Sequence, residues 1–132
     1  MPVTARKLTL SVLSKTFVIC KLPADAPVPA WATQGKLFSI TRTSDELSVV
    51  AEKGMVPENL RGDTTWRAMK AHGPFAFSEV GVLAALVAPL AEAGISVFAL
   101  STFDTDYLFT GETHLQAAVA ALCKAGHTIH EA

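Results

Sequence analysis

The sequence predicts an α+β fold in which helices pack on one face of antiparallel sheet. Three observations carry that reading. Short apolar-polar alternations of strand length fill the first third of the chain. Two helical patterns follow later, over 79–93 and 112–125, each closed by a glycine, Gly94 and Gly126. From Trp66 onward the elements run β-α-β-β-α-β, the order of the ferredoxin-like split unit.

Each element has its own justification. KLTLSVL (7–13) and FVICKL (17–22) alternate as half-buried strands, with a turn expected at Ser14–Lys15. Three prolines in PADAPVPAW (23–31) forbid a long helix and leave room for one turn around Pro29–Thr33. KLFSITRT (36–43) and ELSVVAE (46–52) form a hairpin through Ser44–Asp45. GMVPENLRGDT (54–64) is a connection, rich in residues that break regular structure. WRAMKAHGPFAF (66–77) resumes as a strand bent at Gly73-Pro74.

The second half continues with Ser78 as the expected cap of the helix 79–93, which Pro89 should kink. ISVFAL (95–100) reads as a central strand and DYLFT (106–110) as its neighbour. In ETHLQAAVAALCKA the residues Leu115, Ala118, Val119 and Leu122 share a face, with Thr113 and Gln116 as a capping box. HTIH (127–130) closes the sheet. The strands at 17–22, 36–43 and 46–52 repeat the later order with a stunted helix. The chain is therefore expected to hold two tandem units, a degenerate one at 1–63 and a complete one at 64–132. The strand 7–13 could pair across them.

Composition narrows the function classes. The chain has 132 residues, half of them apolar, and a formal net charge of −1. Scattered basic residues give no footprint for nucleic acid or an acidic membrane. The longest apolar run, VGVLAALVAPLA (80–91), is too short to span a bilayer, and MPVTARKLTL lacks the core of a signal peptide. A soluble, cytoplasmic protein is expected. Cys20 and Cys123 are far apart in apolar runs and read as buried free thiols. His72, His114, His127 and His130 form no metal-ligand spacing, and the last two are expected in solvent.

The run AEAGISVFALSTFDTDYLF (91–109), followed by a helix and AGHTI, resembles the C-terminal unit of the tandem ACT-domain family. That family includes small bacterial ACT proteins and the arginine-sensing proteins upstream of the animal growth pathway. FVICKLPADAPVPAW, FSITRTSDELSVV and WRAMKAHGPFAF resemble it in the same order, so the similarity covers nearly the whole chain. The resemblance implies a regulatory module that binds an amino acid or another small ligand where two units meet, and no catalysis. It also implies a ligand-contacting acid at Asp106.

The chemistry of a free amino acid gives the same site from another direction. Its carboxylate needs an anion cradle, which the unsatisfied N–H groups of a helix start supply. Its ammonium needs a carboxylate nearby. The helix start at Ser78, Gly81 and Val82 is the candidate cradle. Ser101, Thr102, Asp104 and Asp106, in STFDTD, would face it if strands 66–77 and 95–101 were neighbours. Asp106 begins a strand and is the preferred ammonium partner, whereas Asp104 suits a turn former. Glu79 weighs against the cradle, because its own charge already complements the helix start. Magnesium is not favoured, since no third oxygen ligand or phosphate-binding loop accompanies the aspartates. No cofactor and no catalytic residue is assigned. The expected protein is an amino-acid sensor, a homodimer with a further protein partner; the alternative is a ligand-free dimerisation or interaction module.

Overall fold

The computed structural model describes residues 6–131. They form two compact units, one of residues 15–66 and one of residues 6–14 with 67–131. The expected division near residue 63 differs in one respect: the initial strand segment packs with the later unit.

The longest element is β1 (Thr9–Leu22), a single strand where a turn was expected at Ser14–Lys15. Lys15 is no turn former and Ser14 only a weak one, with no glycine, asparagine or proline beside them. Both are exposed because the strand's buried side chains serve different cores on either side of them. Leu10 and Val12 enter one core, Val18 and Cys20 the other.

In the unit of residues 15–66, β1 pairs antiparallel with β3 (Leu47–Glu52), which pairs antiparallel with β2 (Ser39–Arg42). The order is β2-β3-β1. A 3₁₀ turn at Ala30–Thr33 stands where the prolines allow one turn of helix, and Ala32 and Trp31 pack on the Val18–Val49 core. Arg42 donates to the carbonyls of Ala24 and, at 2.7 Å, Ala26, tying the proline-rich loop to the sheet. The Cys20 thiol donates to Leu60 O at 3.3 Å, and burial pushes its pKa up, so it is an inert packing thiol.

The other unit contains β4 (Trp66–Ala71), α1 (Val82–Glu92), β5 (Val97–Ser101), β6 (Asp106–Gly111), α2 (Leu115–Lys124) and β7 (Thr128–His130). Its strands run β1-β4-β6-β5, with β7 parallel to β1 over Thr9–Ser11. This is the split βαββαβ order with the first half of β1 inserted before the closing strand. Leu10, Met69, Leu86, Leu90, Leu108 and Leu122 form the core between helices and sheet, all fully buried. Each such side chain contributes about 2 kcal/mol by leaving water.

Four local expectations need correction. β4 ends at Ala71, six residues early, where a cis Gly73-Pro74 bond leads the chain out of the sheet. α1 begins at Val82 with Gly81 as N-cap, not at Ser78. Thr113 and Gln116 form no capping box: Glu112–His114 is a 3₁₀ turn before α2, and the Gln116 amide donates to Glu131 at 3.2 Å. Cys123, expected inside, is exposed on α2. The glycine stops hold, with Gly94 at φ 74° and Gly126 at φ 99°.

His127 was expected in solvent and is buried at 5% exposure. Its Nδ1 accepts the Leu8 N–H at 3.0 Å, and its Nε2 lies 2.9 Å from Ala85 O. A carbonyl only accepts, so the ring is the neutral tautomer with its proton on Nε2. Ala85 is four residues before Pro89, and proline has no N–H to give that carbonyl. The histidine therefore supplies the donor that Pro89 removes from the helix.

Candidate functional site

The site is built by two loops of the later unit. The first is residues 72–81, between β4 and α1. Phe75 N donates to Asp104 O at 2.7 Å, so this loop is fastened to the second, the β5–β6 turn. Residues 76–79 then close on themselves: Glu79 N donates to Ala76 O at 3.0 Å, and Glu79 Oε2 accepts the Ala76 N–H at 2.6 Å. Arg6 donates to the other Glu79 oxygen at 2.6 Å and stands over the Phe75 ring, 5.5 Å from its centroid. Both Glu79 oxygens are thus engaged, one by Arg6 and one by the Ala76 N–H, and neither caps the helix start.

That arrangement leaves the helix start bare. Gly81 adopts φ 84°, a left-handed conformation that side-chain-bearing residues resist, and no side chain caps α1. The first intrahelical bond is Ala85 N to Gly81 O at 2.9 Å. The N–H groups of the first turn before it have no intrahelical acceptor. Gly81→Ala should lower stability by about 1 kcal/mol through the left-handed φ, measurable by denaturant unfolding. No change would mean the loop can rearrange around a helix start that does not need glycine.

The second loop is the turn from Ser101 to Asp106. Thr102 N donates to Thr105 O at 2.8 Å, and the Thr105 hydroxyl, buried, donates to Ala71 O at 2.7 Å. Asp106 is half-buried and its Oδ1 accepts the Ser101 hydroxyl at 2.5 Å. Asp104 is exposed at the turn and gives its backbone carbonyl to Phe75.

The two loops border an open cavity of ≈ 180 Å³. Val82, Ser101, Thr102, Asp104 and Asp106 all line it, whereas Ser78 and Gly81 do not. The expected neighbours, β4 and β5, are separated by β6, yet the helix start and the turn still meet at one cavity. Sequence reasoning missed Arg6, Thr105 and the aromatic rim. Phe77 and Phe103, 76% and 78% exposed, meet edge to face at 4.9 Å, and Val80, in the same loop as Phe77, is 74% exposed. Their apolar character was readable, but not their exposure in loops.

Glu79 gives the site a pH dependence. The hydrogen bond from Arg6, and then that from Ala76, hold its carboxyl below its ordinary value of 4.5. A depressed carboxylate pKa stabilises the fold above the ordinary value and loses that contribution as pH falls through the lowered one. The protection of amides 75–80, measured relative to their intrinsic exchange rates, should fall on acidification across that range, and Glu79→Gln should remove this pH dependence of protection. An unchanged pH profile in Glu79→Gln would contradict the assignment.

Among the described residues no group of three or more metal-ligating side chains occurs, and no helix is long and apolar enough to cross a membrane.

The fold and its order of strands define the class, a split βαββαβ unit with an additional strand. The comparisons place it further. A family model described as ACT domain matches residues 61–124, and a model of an N-terminal domain matches residues 15–59. Protein Atu0741 from Agobacterium tumefaciens is 38% identical, over 96% of this chain and 95% of that one, with a TM-score of 0.90. The human protein CASTOR3P is 35% identical over 89 residues, 58% of this chain and 55% of that protein. The chain thus spans about half the length of this curated relative. The aspartate kinase of Clostridium acetobutylicum, an allosteric enzyme, shares the fold at 11% identity and a TM-score of 0.60, over 84% of this chain and 32% of the kinase. The chain belongs to the ACT-domain family.

Proposed function

We propose that this protein is a regulatory sensor that binds a free amino acid in the cavity between the α1 start and the Ser101–Asp106 turn. One observation carries the reading: an uncapped helix start and a half-buried carboxylate line the same small cavity. The ligand carboxylate lies on the backbone amides near Val82, where partial positive charge accumulates. The ligand ammonium binds Asp106, with Ser101 and Thr102 as further polar contacts and Asp104 at the rim. Ser78 and Gly81 act through the loop that shapes the helix start. ACT membership and the sequence resemblance to arginine-sensing proteins support an amino acid as ligand.

In this reading residues 15–66 are a degenerate second ACT unit, since β2-β3-β1 repeats the order β5-β6-β4. The protein works as a homodimer whose ligand-bound arrangement exposes or hides a surface for a further protein. Ligand preference for one arrangement by a few kcal/mol shifts that population. The exposed Phe77, Val80 and Phe103 favour a second reading, a ligand-free assembly module, because clustered apolar side chains mark interaction surfaces.

A thermal-shift panel of the standard amino acids separates the two. Ligand at about 100 times its Kd adds roughly 2.7 kcal/mol, a rise of roughly 5–10 °C for a domain of this size. A selective rise for one amino acid or a related group supports sensing. A flat panel favours the assembly module.

A further inference from the structure

We infer that the later unit carries a second small-molecule site, for a ligand bearing an oxyanion group, on the face of its sheet turned away from α1 and α2. The alternation of the strands builds it. Leu10, Met69 and Leu108 enter the core under the helices, so Ser11, Lys70 and Tyr107 stand on the opposite face. Those three residues line one depression of ≈ 600 Å³. The cavity proposed for the amino acid is less than a third of that size, and small-molecule sites commonly span about 300–1,000 Å³.

The polar groups on this floor are donors. Lys70 is exposed and has no ion-pair partner among the described residues, so its ammonium is available. His72 continues the same side of β4, and its Nε2 is hydrogen-bonded to Ser11 Oγ at 2.6 Å. Its ring stacks on His130 with centroids 5.6 Å apart, which holds the imidazole in place. With its proton on Nε2, the imidazole donates to Ser11 and leaves the hydroxyl hydrogen free for a ligand. The Tyr107 hydroxyl is a further donor. A cation beside free hydroxyl donors is the chemistry that recognises phosphate or carboxylate oxygens, and the His72 ring serves by fixing the Ser11 hydroxyl. The one acid, Asp104, lies in the exposed turn with its backbone already bonded to Phe75.

The site shares Thr102, Asp104 and Thr105 of the turn with the amino-acid cavity and differs from it in its floor of Ser11, Lys70, His72 and Tyr107, so its test follows Lys70 and His72, which do not line that cavity. Inorganic phosphate and acetate are titrated in parallel at constant ionic strength, while the side-chain NMR signals of Lys70 and His72 are followed. Saturable shifts with either anion are expected; the one that saturates identifies a phosphoryl or a carboxylate group as the recognised chemistry. Lys70→Gln, an exposed position that leaves the fold intact, should weaken binding about tenfold, the loss of one charge-assisted hydrogen bond. Asp106→Ala should leave it unchanged. No saturable shift into the tens of millimolar, or equal shifts in Lys70→Gln, would overturn the inference.

Discussion

His127→Ala lowers the free energy of unfolding by about 3 kcal/mol, because it strands two buried backbone groups at once. Leu8 loses the acceptor of its N–H, and Ala85 loses the donor that replaces the one missing at Pro89. In a domain of this length that is a drop in Tm of roughly 10 °C. The double-mutant cycle is the sharper test. In Pro89→Ala the helix can satisfy Ala85 O by itself, so His127→Ala should be less damaging there by about 1 kcal/mol. Additive effects would mean that the ring does not act through that carbonyl. His127→Gln, which keeps one acceptor and one donor, should lose less than His127→Ala.

Asp106→Ala should reduce amino-acid affinity by roughly 30-fold or more, the equivalent of about 2 kcal/mol for removing the carboxylate from a partly buried ammonium contact. Stability should hardly change, since the deleted group bonds only the exposed Ser101 hydroxyl among the described contacts. Calorimetric titration with the amino acid that raises Tm measures the first effect, and denaturant unfolding the second. Asp104→Ala should weaken binding less, because Asp104 contributes to the turn chiefly through its backbone carbonyl. Equal losses in the two variants would point to general charge attraction instead of a defined ammonium contact.

Much of this architecture was legible because its signals are local. Glycines at 94 and 126, the helical stripe from Leu115 to Leu122, and the apolar strands around the STFDTD turn gave element types and their order. Boundaries failed where a tertiary contact decides them. Ser78 and Glu79 read as a helix start, yet Glu79 turns back to cap Ala76 and pair with Arg6, and Gly81 alone can take the conformation that begins α1. Ser14 and Lys15 broke the alternation and read as a turn, although the strand continues through them. His127 looked like a polar residue at a chain edge. Its role depends on Leu8 and Ala85, which are distant in sequence, and no periodicity records such a contact.

The candidate site was legible in a similar, partial way. Val82, Ser101, Thr102, Asp104 and Asp106 were named from residue chemistry and line one cavity in the structure; that a ligand binds there is the proposal. The exposed Phe77 and Phe103 on that cavity were not legible, because apolar loop residues give no sign of whether they are covered.

The most direct test of the sensing account is a backbone amide NMR titration with the amino acid that stabilises the protein most. The account predicts that the amides of residues 82–84 and of the turn 101–106 shift together and saturate, and that both sets stay still in Asp106→Ala. Binding that shifts other residues, while the helix start and the turn remain unperturbed, would contradict it.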